Sequence, residues 1–135
     1  MISYADSEGH SARTAATRAI ITEFARLFYL ERDVRMAFEM FVAPDYIQHN
    51  PGITDGRDAA VAALVPMFAD PDFHADLKRV LADGDYGVIH LHGYRGDQRG
   101  GAVMDLYRVD DGKIAEHWDV IQPIPETARN DHPLL

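Results

Sequence analysis

Three residues near the C-terminal end of this sequence have the types and spacing for proton transfer: Asp105, His117 and Asp119. Two carboxylates and an imidazole held together could remove a proton, return it and polarise a bonded oxygen. Whether they meet depends on the strands that carry them. Residues 102–109 and 113–122 alternate with period two, as strands do. Asp110-Asp111-Gly112 between them suits a three-residue hairpin with glycine in the left-handed position. That turn predicts Val109 opposite Lys113, Asp105 opposite His117 and Val103 opposite Asp119.

On this register Asp105, His117 and Asp119 share a face with Val103, Tyr107, Ala115 and Ile121. Met104, Leu106, Ile114, Trp118 and Val120 share the other. A slip of one residue would break this grouping by moving Asp105 to the face opposite His117 and Asp119. The first face is either a salt-bridged surface or an enclosed one. Its apolar members argue for enclosure, where polar groups must find partners. The preceding strand, 86–94, puts Val88, His90, His92 and Tyr94 on one side and Gly87, Ile89, Leu91 and Gly93 on the other. His90, near the strand centre, is the better candidate of the two histidines for lining the same cavity.

The remaining elements are helical first and extended later, an order that points to α+β. A helix over 11–31 has Ser11 as its cap and an apolar stripe of Ala16, Ile20, Ile21, Phe24, Leu27 and Phe28. A second helix starts at an Asp33 cap and ends before Pro44. Residues 46–48 read as a short extended piece closed by Asn50-Pro51-Gly52. A third helix over 57–68 contains Pro66, which should kink or shorten it. Strands follow over 73–81 and 86–94. The chain reads as one domain, 1–135, with a core of about 11–123 and an irregular tail over 124–135.

Composition narrows the function classes. The formal net charge of −9 lacks the basic footprint of a nucleic-acid binder. The absence of cysteine excludes disulfides, thiolate nucleophiles and zinc-thiolate sites. Met1 to His10 is polar and lacks a secretory apolar core, and no apolar run approaches a membrane span, so a cytoplasmic home with no membrane contact is expected. A metal set of His49, His90, His117 and Asp105 has no short-range ligand motif behind it. The expectation is no metal and no cofactor.

Tyr46-Ile47-Gln48-His49-Asn50-Pro51, followed by Asp55-Gly56-Arg57, resembles a motif of the SnoaL-like polyketide cyclases. The closing segments Asp105-Leu106-Tyr107-Arg108-Val109 and Glu116-His117-Trp118-Asp119-Val120 resemble that family's last hairpin. The resemblance covers about residues 11–123. It implies a cone-shaped, curved antiparallel sheet wrapped around N-terminal helices (the nuclear transport factor two-like, or cystatin-like, arrangement) with an apolar pocket between them. It implies metal-free aldol-type cyclisation or isomerisation of a carbonyl compound. The acid/base role falls to Asp119, with His117 and Asp105 beside it. His49, Asn50, His90, Tyr46 and Val103 become candidate substrate contacts.

Ketosteroid isomerases share that fold, but their general-base aspartate precedes a proline where this chain has Asn50. Their first-helix tyrosine has no counterpart here except Tyr29, which is displaced. Dehydratases and epoxide hydrolases of the same cone are the alternative enzymes. The epoxide hydrolases place an arginine between two aspartates, and no pocket-facing arginine is evident here, since Arg108 alternates onto the other face. Non-catalytic binding of a small apolar ligand is the alternative of a different class. The apolar outer face predicts a homodimer.

Overall fold

The computed structural model describes residues 7–135. The polar N-terminal stretch from Met1 to His10 lies outside the described residues as far as Asp6. The elements are α1 (Ser7–Ala25), a π-helical turn (Arg26–Leu30), α2 (Val34–Phe41), β1 (Val42–Gln48), α3 (Arg57–Ala69), β2 (Phe73–Asp83), β3 (Tyr86–Arg95), β4 (Gly101–Asp110) and β5 (Lys113–Pro123). They form one curved five-stranded sheet in the order β1-β5-β4-β3-β2, with the helices on its concave side. The architecture is α+β, as the order of helical and extended patterning implies. The sheet is mixed rather than wholly antiparallel, because β1 joins β5 in parallel.

Helix α1 begins four residues before Ser11, so Ser11 lies inside it rather than at its cap. Its continuation is not α-helical. Glu31 N–H bonds the carbonyl of Arg26, five residues back, at 2.9 Å. This wide turn buries Leu27, Phe28 and Tyr29 in succession. Single π turns of this kind redirect the side chains that follow them. Asp33 caps α2 as its side chain predicts, accepting from Met36 N–H at 3.0 Å. Pro44 falls within β1, an edge strand, where a missing N–H is tolerated. Helix α3 runs past Pro66 to Ala69.

Edge-to-face aromatic contacts fix the helices on the sheet. Phe24 lies 5.4 Å from Phe28, 5.3 Å from Phe38 and 5.3 Å from Tyr107 of β4. Where α1 crosses β3, Gly87 lets them approach closely: a Cβ there would stand 2.6 Å from Ile21.

The closing hairpin departs from its expected register. Asp110 pairs with Lys113, so the turn has two residues, Asp111 and Gly112, with φ of 49° and 73°. Both angles are positive, as a right-twisted two-residue hairpin requires. This turn alone would put Asp105 opposite Trp118 and separate it from His117 and Asp119. A bulge at Ala115 adds one residue to β5 and restores the parity. Asp105 therefore stands opposite Asp119, Tyr107 opposite His117 and Val103 opposite Ile121. The bulge also turns Ile114, expected on the outer face, into the core, where it is fully buried.

Candidate active site

The concave face and the helices enclose a cavity of about 540 Å³. Asp105, His117 and Asp119 reach it from β4 and β5, Tyr46 and Gln48 from β1, Asn50 from the loop after β1, and Tyr29 from the π turn. Apolar walls come from Phe68 and Met67 of α3, Ile53, Leu91, Val103 and Ile121. One group of polar side chains thus clusters around the two aspartates, beside these apolar walls.

His117 is only 6% exposed and is held at both ring nitrogens. Nε2 lies 2.8 Å from Asp105 Oδ1, and Nδ1 lies 2.7 Å from Gln48 Oε1. That Gln48 oxygen also accepts the backbone N–H of Asn50 at 2.9 Å, which fixes the amide's orientation. Nδ1 therefore carries a hydrogen and donates it to Gln48. Nε2 is left as the atom that shares a proton with Asp105.

The two aspartates face each other across adjacent strands but are bonded differently. Both oxygens of Asp105 are engaged: Oδ1 by His117, and Oδ2 by the Tyr29 hydroxyl, which donates at 2.5 Å. Asp119 is half-buried and accepts from Asn50 Nδ2 at 2.6 Å through Oδ2. Its Oδ1 has no hydrogen-bond partner among the described residues.

Three phenols complete the polar region. Burial, with the charge of Asp105 beside them, pushes Tyr29 and Tyr107 well above the ordinary tyrosine value. Burial, then Asp105, does the same for Tyr46. All three therefore remain hydrogen-bond donors at neutral pH. The Tyr46 hydroxyl accepts from Gln48 Nε2 at 3.4 Å and keeps its own hydrogen to offer.

Of the residues singled out from sequence, Asp105, His117, Asp119, Asn50, Tyr46 and Val103 line the cavity. His49 and His90 do not. Along β1 and beyond it the side chains alternate, so Tyr46, Gln48 and Asn50 turn inward and His49 outward. His49 is exposed, pairs with Glu116 Oε1 at 2.8 Å and stacks on Trp118 at 4.8 Å. His90 lies on the outer side of β3, where Leu91 and Gly93 take the concave positions. Its Nδ1 is buried without a hydrogen-bond partner among the described residues, and burial, with Arg79 and Lys78 nearby, lowers its pKa. His92 also faces outward and bonds the Arg99 carbonyl at 2.7 Å.

Two residues that sequence reasoning set aside stand in the cavity. Tyr29 is brought to Asp105 by the π turn. Arg95, the last residue of β3, lines the mouth, while Arg108 bonds Glu116 on the outer side at 2.9 Å. Gln48, noted only as part of a motif, anchors the imidazole.

The metal set His49, His90, His117 and Asp105 is not assembled. Asp105, His117 and Asp119 do offer ligand atoms within 4.8 Å of one another. A cation among them would have to replace the proton between His117 and Asp105.

Residues 14–117 match the SnoaL-like domain. The chain belongs to the SnoaL-like family. The match ends two residues short of Asp119. No curated protein sequence matches this member. Among solved structures it is similar to a nuclear transport factor two-like protein of unknown function from Mesorhizobium loti, with a TM-score of 0.71 and 23% identity over 82% of this chain and 93% of that one. It is also similar to a protein provisionally assigned as a polyketide cyclase from Acidithiobacillus ferrooxidans, with a TM-score of 0.61 and 19% identity over 89% and 91%. An LEH-like epoxide hydrolase of M. tuberculosis gives 0.61 and 20% over 81% and 84%. At these identities the likeness establishes the nuclear transport factor two-like fold.

Proposed function

We propose that this SnoaL-like protein is a cofactor-independent acid/base catalyst acting on a small carbonyl compound. The reaction is an aldol-type ring closure or an isomerisation through an enolate. The observation that carries this reading is the contrast between the two opposed carboxylates, one saturated with hydrogen bonds and the other with an oxygen facing an apolar cavity.

Asp119 Oδ1 takes the proton alpha to the substrate carbonyl. In a hollow with mostly apolar walls, the enolate oxygen needs donors already in place. The Tyr46 O–H and the second hydrogen of the Asn50 amide supply them. The enolate carbon then attacks a second carbonyl of the same molecule, whose oxygen becomes an alkoxide, or the dienolate is reprotonated at a different carbon. In either case Asp119, now protonated, returns the proton. Asp105 and His117 hold the neighbouring charge fixed, with Gln48 and Tyr29 preventing either from turning. The bicyclic ketones such a cavity admits bring their own acidic alpha hydrogens, so no electron carrier is required.

Hydrogen exchange tests this directly. β-Tetralone in deuterated buffer should lose its alpha-hydrogen NMR signals faster with the protein than with buffer alone. Exchange no faster than buffer would favour the alternative of a pure binding module, in which the polar groups only orient a ligand.

The outer face is proposed to pair two copies of the chain. It leaves Val120 70%, Leu81 57% and Met104 45% exposed, and apolar side chains grouped on one face are a usual mark of an interaction surface.

A further inference from the structure

The cavity has chemically opposite ends. Two carboxylates stand at the inner end, and Arg95 is the one lysine or arginine among its described lining residues. Arg95 follows Leu91 and Gly93 on the concave side of β3. Its guanidinium lies 5.4 Å from the centroid of the Phe73 ring and pairs with Asp70 through Nη1. Arg32 lies near the same carboxylate. Arg32 is itself tied to the end of α3, donating to the Phe68 carbonyl at 2.6 Å and the Asp70 carbonyl at 3.2 Å. Both guanidiniums are thus held at this rim, on a chain of net charge −9.

The sheet beside Arg95 is bare. Gly93 and Gly101 pair across β3 and β4, so no side chain rises from the concave face there. A Cβ at Gly93 would meet only Leu91 and Val103, each at 4.0 Å in ordinary contact, whereas one at Gly101 would stand 2.9 Å from Ile121, so the room for a ligand lies over Gly93. Phe68 and Phe73, with ring centroids 5.1 Å apart, supply an aromatic side to the same stretch. The shape is a flat slot that ends on a cation.

We propose that Arg95 is a specificity residue that reads an oxyanion, such as a carboxylate or sulfonate, on a flat and otherwise apolar ligand. This rests on the cavity being the substrate site and adds a substrate class to that reading. Asp105 and Asp119 repel the anionic end from the inner region, while Arg95 receives it at the mouth. The ligand is thereby oriented with its carbonyl end toward Asp119.

Two fluorescent probes with the same ring frame test this: anilinonaphthalene sulfonate, and N-phenylnaphthylamine, which lacks the sulfonate. The wild-type protein should bind the sulfonate more tightly. Arg95→Gln should weaken sulfonate binding about tenfold and leave the neutral probe within about twofold, the pattern of a lost charge-assisted contact. Arg95→Lys should keep most of the preference. Gly93→Leu, which fills the slot, should weaken both. The probes have no carbonyl and are not turned over, so the outcome does not depend on whether Asp119 moves a proton. No sulfonate preference in the wild type, equal loss of both probes in Arg95→Gln, or undiminished sulfonate binding in Gly93→Leu would overturn the assignment.

Discussion

Asp105 and Asp119 are cross-strand partners, yet only Asp105 has both oxygens bonded. The same sheet position on two strands thus provides a locked carboxylate and an open one. Tyr29 is what makes the difference on the Asp105 side. Replacing it with phenylalanine removes a donor from a buried carboxylate, and such bonds are worth about 1.5–3 kcal/mol. Tyr29→Phe should therefore lower unfolding free energy by about that amount in urea titration.

Gln48 acts on His117 through a single oxygen. Gln48→Leu removes the acceptor at Nδ1 and should lower kcat much more than it raises KM. Gln48→Glu keeps an acceptor there and should recover a large part of the loss. Nitrogen NMR of His117 separates this from general destabilisation: Nδ1 should remain protonated in Gln48→Glu and lose its fixed hydrogen in Gln48→Leu.

The buried phenols set the alkaline limit. Tyr29, Tyr46 and Tyr107 are all raised above the ordinary tyrosine value of 10.0, with burial the largest cause. Above that pH the unfolded chain releases these protons and the folded one retains them. Stability is therefore complete below about pH 10 and falls as pH rises beyond it. Tyrosinate absorbance should show these three phenols ionising together with the loss of near-ultraviolet circular dichroism. Their ionisation in a still-folded protein would contradict the burial described.

Much of this site was legible in the sequence, for a definite reason. Strand alternation groups Asp105, His117 and Asp119 whenever the pairing parity is even. The expected three-residue turn and the observed two-residue turn plus bulge both give even parity, so the shared face survives an incorrect register. Alternation also split β3 correctly into two sides. It carries no information on which side is concave, and His90 lies on the outer one, contrary to expectation. The motif around His49 joins neighbours that face opposite ways, so its membership does not place His49 in the cavity. Tyr29 was hidden by a π turn, whose extra residue has no local signature. Arg95 sits one residue past the expected end of its strand, so the same alternation that excluded Arg108 never reached it.

The outer face gives an independent prediction. Sedimentation at micromolar concentration should show a dimer, and Val120→Glu should shift it to monomer without loss of circular dichroism. A wild-type monomer would remove the pairing of copies through this face.

The most direct measurement is the rate of alpha-hydrogen exchange in β-tetralone with wild-type protein and with Asp119→Asn. An asparagine preserves shape and removes the proton acceptor, and a positioned general base contributes about 10²–10⁴-fold. The exchange rate above buffer should fall by that factor while ketone affinity stays within about threefold, a change of less than one kcal/mol. Undiminished exchange in Asp119→Asn would show that the open carboxylate is not the base.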